Sequence, residues 1–177
     1  LCLLTYMVFQ LQPSVTIAVP ISASSAIDEI AEKYNGKVIR TKTSYRSMME
    51  VAFSGKVALV GEGKGGYIFP KFQPALDAMM SIVKILEATA KVDEKLSDIL
   101  KKLPKSKIVR DHVASQWEKK GTIMRNLMEL VKDKKAELID GIKIFEKEGW
   151  VIIIPDGERA LFHVNAEAKT TESARKL

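Results

Sequence analysis

The stretch VTIAVPISASSAIDEIAEKYNGKVIRT, residues 15–41, decides the fold of the first half of this chain. Its two ends, Val15–Pro20 and Lys37–Thr41, are short and rich in β-branched residues, which is typical of strands. Between them, over Ser24–Tyr34, apolar residues recur at the spacing of one helix face. A strand, a helix and a second strand in this order predict two parallel neighbouring strands joined by the helix.

The sequence after Thr41 predicts further helices around a pair of strands. A short helical stretch covers Tyr45–Phe53, and two strand-like runs, Val57–Val60 and Tyr67–Pro70, enclose a glycine-rich turn. Pro74 predicts the start of the next helix, and we expect its apolar stripe to face the core. That stripe comprises Leu76, Met79, Met80, Val83 and Leu86. Another helix is predicted over Asp93–Leu103.

A lysine-rich segment, Pro104–Lys107, contains no apolar run and predicts a linker between two domains. An amphipathic helix over about Glu118–Lys132 follows it, and a last short helix is predicted from Thr171. Between these helices lie four strand-like runs separated by turns, which predict a small antiparallel sheet with a helix at each end. The runs are Glu137–Ile139, Ile142–Phe145, Val151–Ile154 and Leu161–Ala168.

Composition excludes several classes of protein. The single cysteine, Cys2, cannot form a disulfide scaffold within the chain, so we expect a reduced, cytoplasmic setting. The net charge of +6 is spread over lysines that alternate with acids, which argues against nucleic-acid binding. No window approaches the run of about 18 apolar residues that a membrane helix needs, so no membrane partner is expected. The opening segment resembles the tail of a helix and lacks an initial methionine, and we therefore expect a fragment of a longer protein.

The most unusual segment is the glycine-rich turn, whose residues are Gly61, Glu62, Gly63, Lys64, Gly65 and Gly66. Glycines let a ligand approach the main-chain N–H groups, and the Glu62 carboxylate can accept hydrogen bonds from sugar hydroxyls. Dinucleotide and Walker A motifs are excluded, because a strand follows the turn and Lys64 precedes a glycine. The alternative is a flexible hairpin without a ligand.

A second turn of interest lies between the last two predicted strands and consists of Asp156, Gly157, Glu158 and Arg159. An ordinary hairpin turn explains its pattern equally well. His112 and His163 have no histidine or cysteine at ligand spacing, so we expect no metal site in this chain. Trp117 and Trp150 stand beside apolar residues and are predicted to anchor the core.

Three segments read together resemble the C-terminal half of the α-D-phosphohexomutases, the phosphomannomutase and phosphoglucomutase family, especially its archaeal branch. They are Gly61–Pro70, Pro74–Asp77 and Asp140–Lys143. The resemblance implies that residues 1–103 form the third family domain, a mixed α/β three-layer domain. Residues 106–177 would form the fourth, a small helix-flanked antiparallel-sheet domain. It also implies that the phosphorylated serine and the magnesium-binding loop belong to missing N-terminal mutase domains, with magnesium expected only in a full-length mutase.

The resemblance implies two binding loops for a hexose or hexose phosphate. In the sugar loop, Gly61–Gly65, Glu62 is retained, but Lys64 stands where the family has serine or asparagine. The family's phosphate loop reads roughly Arg-Pro-Ser-Gly-Thr-Glu-Pro, and Asp156–Arg159 departs strongly from it, while His163 replaces a later arginine. Two acids facing a phosphate dianion repel it, so we expect this degenerate loop to bind phosphate poorly, with Arg159 or His163 as the groups that would compensate in part.

Two functions remain open at this stage. The chain is either the hexose-phosphate-recognising part of a mutase, inactive alone, or a non-catalytic mutase-like module. The second reading resembles the modules joined to mannose-1-phosphate guanylyltransferase-related nucleotidyltransferases, which would then be the partner domains.

Overall fold

In a computed structural model, which describes residues 1–177, the chain forms two units, Leu1–Pro104 and Lys105–Leu177. The first unit contains α1 (Cys2–Leu11), β1 (Thr16–Pro20), α2 (Ala26–Lys33), β2 (Lys37–Thr41), α3 (Tyr45–Phe53), β3 (Leu59–Gly61), β4 (Tyr67–Ile68), α4 (Ala78–Lys91) and α5 (Leu96–Lys102). The second contains β5 (Lys107–Ala114), a 3₁₀ turn (Trp117–Lys119), α6 (Lys120–Leu130), β6 (Ala136–Glu137), β7 (Ile142–Glu146), β8 (Gly149–Pro155), β9 (Leu161–Ala168) and α7 (Thr171–Lys176).

The sheet of the first unit has the strand order β2-β1-β3-β4. Strand β1 is parallel to both of its neighbours, with Ile17 opposite Val38 of β2 and Leu59 of β3. The predicted parallel pair of strands is therefore confirmed. Strand β4 closes the sheet as an antiparallel hairpin partner of β3. Because β1, β2 and β3 are parallel, their carboxyl ends lie at the same edge of the sheet.

Helices cover both faces of this sheet. Because successive residues of β1 point to opposite sides, the strand contributes to a core on each face. Ile17 and Val19 belong to the core shared with α1, α2 and α4. Ala18 belongs instead to a second core, in which Met48 of α3 packs against the sheet. The predicted mixed α/β three-layer architecture is confirmed.

Helix α4 corrects two expectations. It begins after Asp77, whose carboxylate accepts a hydrogen bond from the Met80 N–H at 2.7 Å, and not at Pro74. The predicted core stripe is mostly in solvent, with Met79 exposed by 78% and Leu86 by 64%. The core side of the helix uses the buried Ala88 instead, since a small side chain allows close packing on the neighbouring α1. The periodicity of the apolar residues predicted the helix correctly, but it predicted the wrong face of the helix to be buried.

The second unit is a five-stranded antiparallel sheet in the order β5-β9-β8-β7-β6. One face carries a core that includes Ile142, Val151 and Ala166, against which residues of α6 and α7 pack. The predicted antiparallel sheet with flanking helices is confirmed. Strand β5 was missed by sequence reasoning, because its exposed, charged residues lack the alternation of a half-buried strand. Pairing with β9 along all eight residues holds it in place.

The two tryptophans have different environments. Trp150 is 2% exposed, as predicted for a core anchor, and its indole N–H donates to the carboxylate of Glu167. For Trp117 the prediction is wrong, because half of its surface is in solvent and its ring stacks beneath the Lys120 ammonium at 4.0 Å. The electrostatic attraction between a cation and an indole face stabilises the position of the ring without burying it in the core.

None of the helices combines the length and the apolar character that a bilayer-crossing segment requires.

Candidate functional site

The glycine-rich turn connects β3 to β4 at the carboxyl edge of the parallel strands. Within it, the Glu62 N–H donates to the Gly66 carbonyl at 3.0 Å, and the Gly65 N–H donates to the Glu62 carbonyl at 3.3 Å. Gly65 has a φ of +101°, a conformation that other residues rarely adopt. The turn is therefore a closed hairpin that depends on its glycines.

The side chain of Glu62 lies over Gly66. A Cβ atom placed on Gly66 would stand 3.2 Å from both Cγ and Oε1 of Glu62, so the glycine makes room for the carboxylate. That carboxylate forms no hydrogen bond or ion pair with the chain. Burial raises the pKa of the neighbouring Tyr67 phenol, and the negative charges of Cys2 and Glu62 add to the effect. Lys64 is exposed and also lacks an ion pair.

Two other loops follow parallel strands at the same edge. Residues 21–25 follow β1 and residues 42–44 follow β2. Arg40 holds the first of these loops, because its guanidinium donates to the carbonyls of Ala23 at 2.8 Å and Ser24 at 3.2 Å and pairs with Asp28. In open α/β sheets, ligands bind beyond the carboxyl ends of the strands, at the point where the strand order reverses. In this sheet that point is at β1, which has β2 on one side and β3 on the other.

The second candidate loop, between β8 and β9, has a backbone bond from the Asp156 N–H to the Leu161 carbonyl at 3.1 Å, and its own carboxylate binds the N–H groups within it. Oδ1 of Asp156 accepts hydrogen bonds from the N–H groups of Glu158 at 2.8 Å and Arg159 at 2.7 Å. Oδ2 lies 2.8 Å from Nε2 of His163. The bond from the Glu158 N–H, followed by those from His163 and the Arg159 N–H, lowers the pKa of Asp156 to about 2. The carboxylate therefore remains charged at any physiological pH.

Lys120 reinforces this loop from the start of α6. Its ammonium donates to the carbonyl of Asp156 at 2.5 Å and also to the carbonyl of Arg159. Sequence reasoning missed Lys120, because it precedes the loop by 36 positions and sits in a lysine-rich run without a motif. The loop thus has a cation bound to its carbonyls and an anion bound to its N–H groups, both supplied by the chain.

The predicted site residues fall into these two loops, one in each unit. The first holds Gly61, Glu62, Gly63, Lys64 and Gly65, and the second holds Asp156, Gly157, Glu158 and Arg159, with His163 on β9. No three histidine, cysteine, aspartate or glutamate side chains lie close enough together to hold a metal ion. The residues present therefore do not fit a magnesium site. The ligand-binding roles of both loops remain predictions.

The family follows from a match over more than half of the chain. Residues 1–106 match the family described as phosphoglucomutase/phosphomannomutase, alpha/beta/alpha domain III. The chain belongs to this family. The α/β/α layering described above is the architecture that this description names.

Curated relatives extend the similarity into the second unit. The chain is 32% identical over 158 residues to a phosphoglucomutase/phosphomannomutase of Thermococcus kodakarensis, with 88% of the chain and 34% of that protein covered. It is 29% identical over 164 residues to a phosphoglucosamine mutase of Methanococcus maripaludis, with coverages of 91% and 37%. The chain thus spans about a third of the length of these relatives.

The fold is shared with solved structures. A phosphoglucomutase/phosphomannomutase family protein from Burkholderia thailandensis superposes with a TM-score of 0.78 at 16% identity. The match covers 99% of this chain and 38% of that protein. At this identity the similarity concerns the fold of both units and leaves the ligand open.

Proposed function

We propose that this chain is the hexose-recognising, C-terminal part of a phosphohexomutase-type protein of carbohydrate metabolism, without activity on its own. The observation that carries the proposal is the carboxylate of Glu62, which has no partner in the chain and is presented by a glycine hairpin at the carboxyl edge of a parallel sheet. Its ligand would be a hexose or a hexose phosphate, held through the sugar hydroxyls.

The chemistry of Glu62 suits a polyol. A carboxylate accepts two or more hydrogen bonds, and adjacent sugar hydroxyls donate them in pairs. Lys64, two positions later in the same hairpin, can donate to a ring or hydroxyl oxygen. The glycines between them leave the backbone N–H groups accessible to a ligand. The mutase names of the curated relatives support the hexose-phosphate class as a whole.

The phosphoryl transfer itself would require groups that this chain does not supply. We propose that the phosphorylated nucleophile and any magnesium ion belong to further mutase domains, which act together with this chain in the cytoplasm. The chain's own residues would then bind and orient the sugar and leave the reaction to those domains.

Titration calorimetry with mannose and glucose, each free and as the 6-phosphate, tests the proposal. Replacing Glu62 by glutamine keeps the shape of the side chain and removes its charge. Since a hydrogen bond to a charged group contributes about 1.5–3 kcal/mol, affinity should fall by about tenfold to a hundredfold. Glu32→Gln, at an exposed position of α2, is the matched control. Equal affinity of both variants and the unaltered chain would refute a role of Glu62.

A second candidate function is favoured by the Asp156 loop. Its N–H groups are bound by the chain's own carboxylate and are not free to hold a phosphate, which favours a non-catalytic module. Such a module could regulate or assemble a mannose-1-phosphate guanylyltransferase-related nucleotidyltransferase. Mixing the chain with the preceding domains of the Thermococcus relative separates the readings. Restored mutase turnover supports the first, and sugar binding without turnover supports the second.

A further inference from the structure

A cavity of about 460 Å³ lies between α1, α4 and the segment that follows β4. Its volume is within the range of small-molecule sites, which is about 300–1,000 Å³. Ala58, which precedes β3, and Phe69, which follows β4, both line it. The glycine-rich turn joins the other ends of these two antiparallel strands. The cavity therefore lies at the amino edge of the sheet, the edge opposite Glu62.

The wall of this cavity is mainly apolar. Leu4, Val8 and Leu11 line it from α1, where their spacing of four and three residues places them on one helix face. Met80 lines it from α4. Phe72, another lining residue, is 56% exposed, so the cavity is accessible from solvent. A cavity with such a wall favours hydrocarbon over water.

The charged residues of the lining are mostly basic. They are Lys71, Lys84, Lys91 and Glu87. Glu87 pairs with both lysines of α4, with Oε2 2.7 Å from Nζ of Lys84 and Oε1 2.6 Å from Nζ of Lys91. The hydrogen bonds from Lys84 and then Lys91 lower the pKa of Glu87 to about 2, so its charge is permanent and compensated. Lys71 forms no ion pair with the chain, and the three lysines and one acid leave a net charge of +2.

We propose that this cavity binds an amphipathic carboxylate, whose aliphatic chain lies against the apolar wall and whose carboxylate is held by the lysines. Each ammonium group has three N–H donors, so pairing with Glu87 leaves donors of Lys84 and Lys91 for a ligand. Burial of the chain supplies affinity in proportion to the apolar area removed from water. The net positive charge disfavours a cation, and the apolar wall disfavours a sugar.

The inference does not rest on the sugar-binding role of Glu62. Strand β3 has three residues, so about 10 Å of strand separates the cavity from the glycine-rich turn. A hexose has no aliphatic chain, and a fatty acid has no neighbouring hydroxyls, so the two ligands test different sites. A failure of either proposal would leave the other standing.

NMR of isotope-labelled methionine methyl groups in the full chain tests the proposal. Octanoate should move the Met80 signal along a saturation curve, and Met80→Leu identifies that signal. Two other methionines serve as internal controls and should not move. Met79 is 78% exposed and does not line the cavity, and Met48 belongs to the core on the other face of the sheet.

Variants and matched ligands separate the role of the charge from that of the chain. Lys71→Gln should weaken octanoate binding by about fivefold, the upper range for an exposed ion pair. The same variant should bind uncharged octanol as the unaltered chain does, and octanol should bind more weakly than octanoate. Lys42→Gln, an exposed and unpaired lysine at the opposite edge of the sheet, should leave both affinities unchanged. Acetate, which has the charge without the chain, should leave the Met80 signal in place.

Several outcomes would overturn the proposal. If octanol binds as tightly as octanoate, or if Lys71→Gln binds octanoate as the unaltered chain does, the lysines do not recognise the carboxylate. If acetate moves the Met80 signal as far as octanoate does, the apolar wall has no role. Equal movement of the Met48, Met79 and Met80 signals would show a general detergent effect instead of a site.

Discussion

The two candidate loops share a composition but differ in what their acids do. Each connects neighbouring antiparallel strands, and each contains glycine and a carboxylate. In Gly61–Gly66 the hairpin is closed by its own backbone bonds, and the Glu62 carboxylate is left without a partner. In Asp156–Arg159 the acid is not left without a partner, because its carboxylate accepts hydrogen bonds from the N–H groups of Glu158 and Arg159.

The difference shows that an acid in a turn is available to a ligand only when the N–H groups of the turn do not bind it. Backbone hydrogen bonds and glycine conformations close the first loop, so its acid is free for recognition. The second loop also has a backbone bond at its base, from the Asp156 N–H to the Leu161 carbonyl at 3.1 Å. In addition, its Glu158 and Arg159 N–H groups donate to the Asp156 carboxylate, and Lys120 donates on the carbonyl side. Its carboxylate stabilises the loop and competes with any external anion for the same donors.

The largest effect is expected from filling the space under Glu62. A valine at Gly66 would clash with the Glu62 side chain and with Leu76, whose Cδ2 lies 3.1 Å from the new Cβ. Overpacking of this kind costs about 1–3 kcal/mol, so hexose affinity measured by calorimetry should fall by about tenfold or more.

The second loop offers the matched control. A Cβ at Gly157 meets no atom within 4 Å, so Gly157→Val should leave hexose affinity unchanged. If both valine variants lose binding equally, the contrast between the two loops is wrong.

Removing the two carboxylates of the second loop should strengthen phosphate binding. The double change Asp156→Ser with Glu158→Thr releases two N–H groups and removes two negative charges. Affinity for a hexose phosphate should rise by about tenfold, the size of one charged hydrogen bond. Asp133→Ser with Glu129→Thr makes the same charge change at exposed positions near the end of α6 and should have no comparable effect. Unchanged affinity in the loop variant would mean that the carboxylates do not block the anion.

The lysine that ties the second loop should contribute modestly to stability. Lys120→Met removes the hydrogen bonds to the two loop carbonyls and the contact with the Trp117 ring. At this partly exposed position we expect a loss of about 1 kcal/mol in the free energy of unfolding. Urea denaturation measures it, and Lys119→Met, the exposed neighbour, should shift the midpoint far less. Identical midpoints for the two variants would contradict the role of Lys120.

The smallest effect is expected when the Asp156–Arg159 loop is titrated with acid. Because the pKa of Asp156 is lowered to about 2 from an ordinary 3.8, its stabilising bonds are fully present above the ordinary value. They are lost as the pH falls through about 2. The amide NMR signals of Glu158 and Arg159 should follow this midpoint. The Gly65 amide, which donates to a backbone carbonyl, should not follow it. A midpoint near the ordinary value would show that the bonds do not form in solution.

Much of the fold could be predicted from local patterns. The bounds of β2, α3 and β9 were predicted without error, because β-branched runs and helical periodicity there coincide with clear turn residues. The exposed face of α4 and the strand β5 were missed. In both cases a neighbouring element determines the structure. Packing against α1 buries the small Ala88 side of α4, and pairing with β9 provides the hydrogen bonds of β5.

For the candidate sites, the sequence by itself determined which residues stand in the two turns, since glycine and acid positions are local features. It also carried the family resemblance that the match over residues 1–106 supports. Only the tertiary structure decided that Glu62 is unpartnered, that Lys120 binds the carbonyls of the second loop, and that β5 pairs with β9. Each of these depends on contacts between residues distant in the chain, and hydrogen-bond partners and strand register are set by packing that no local pattern encodes.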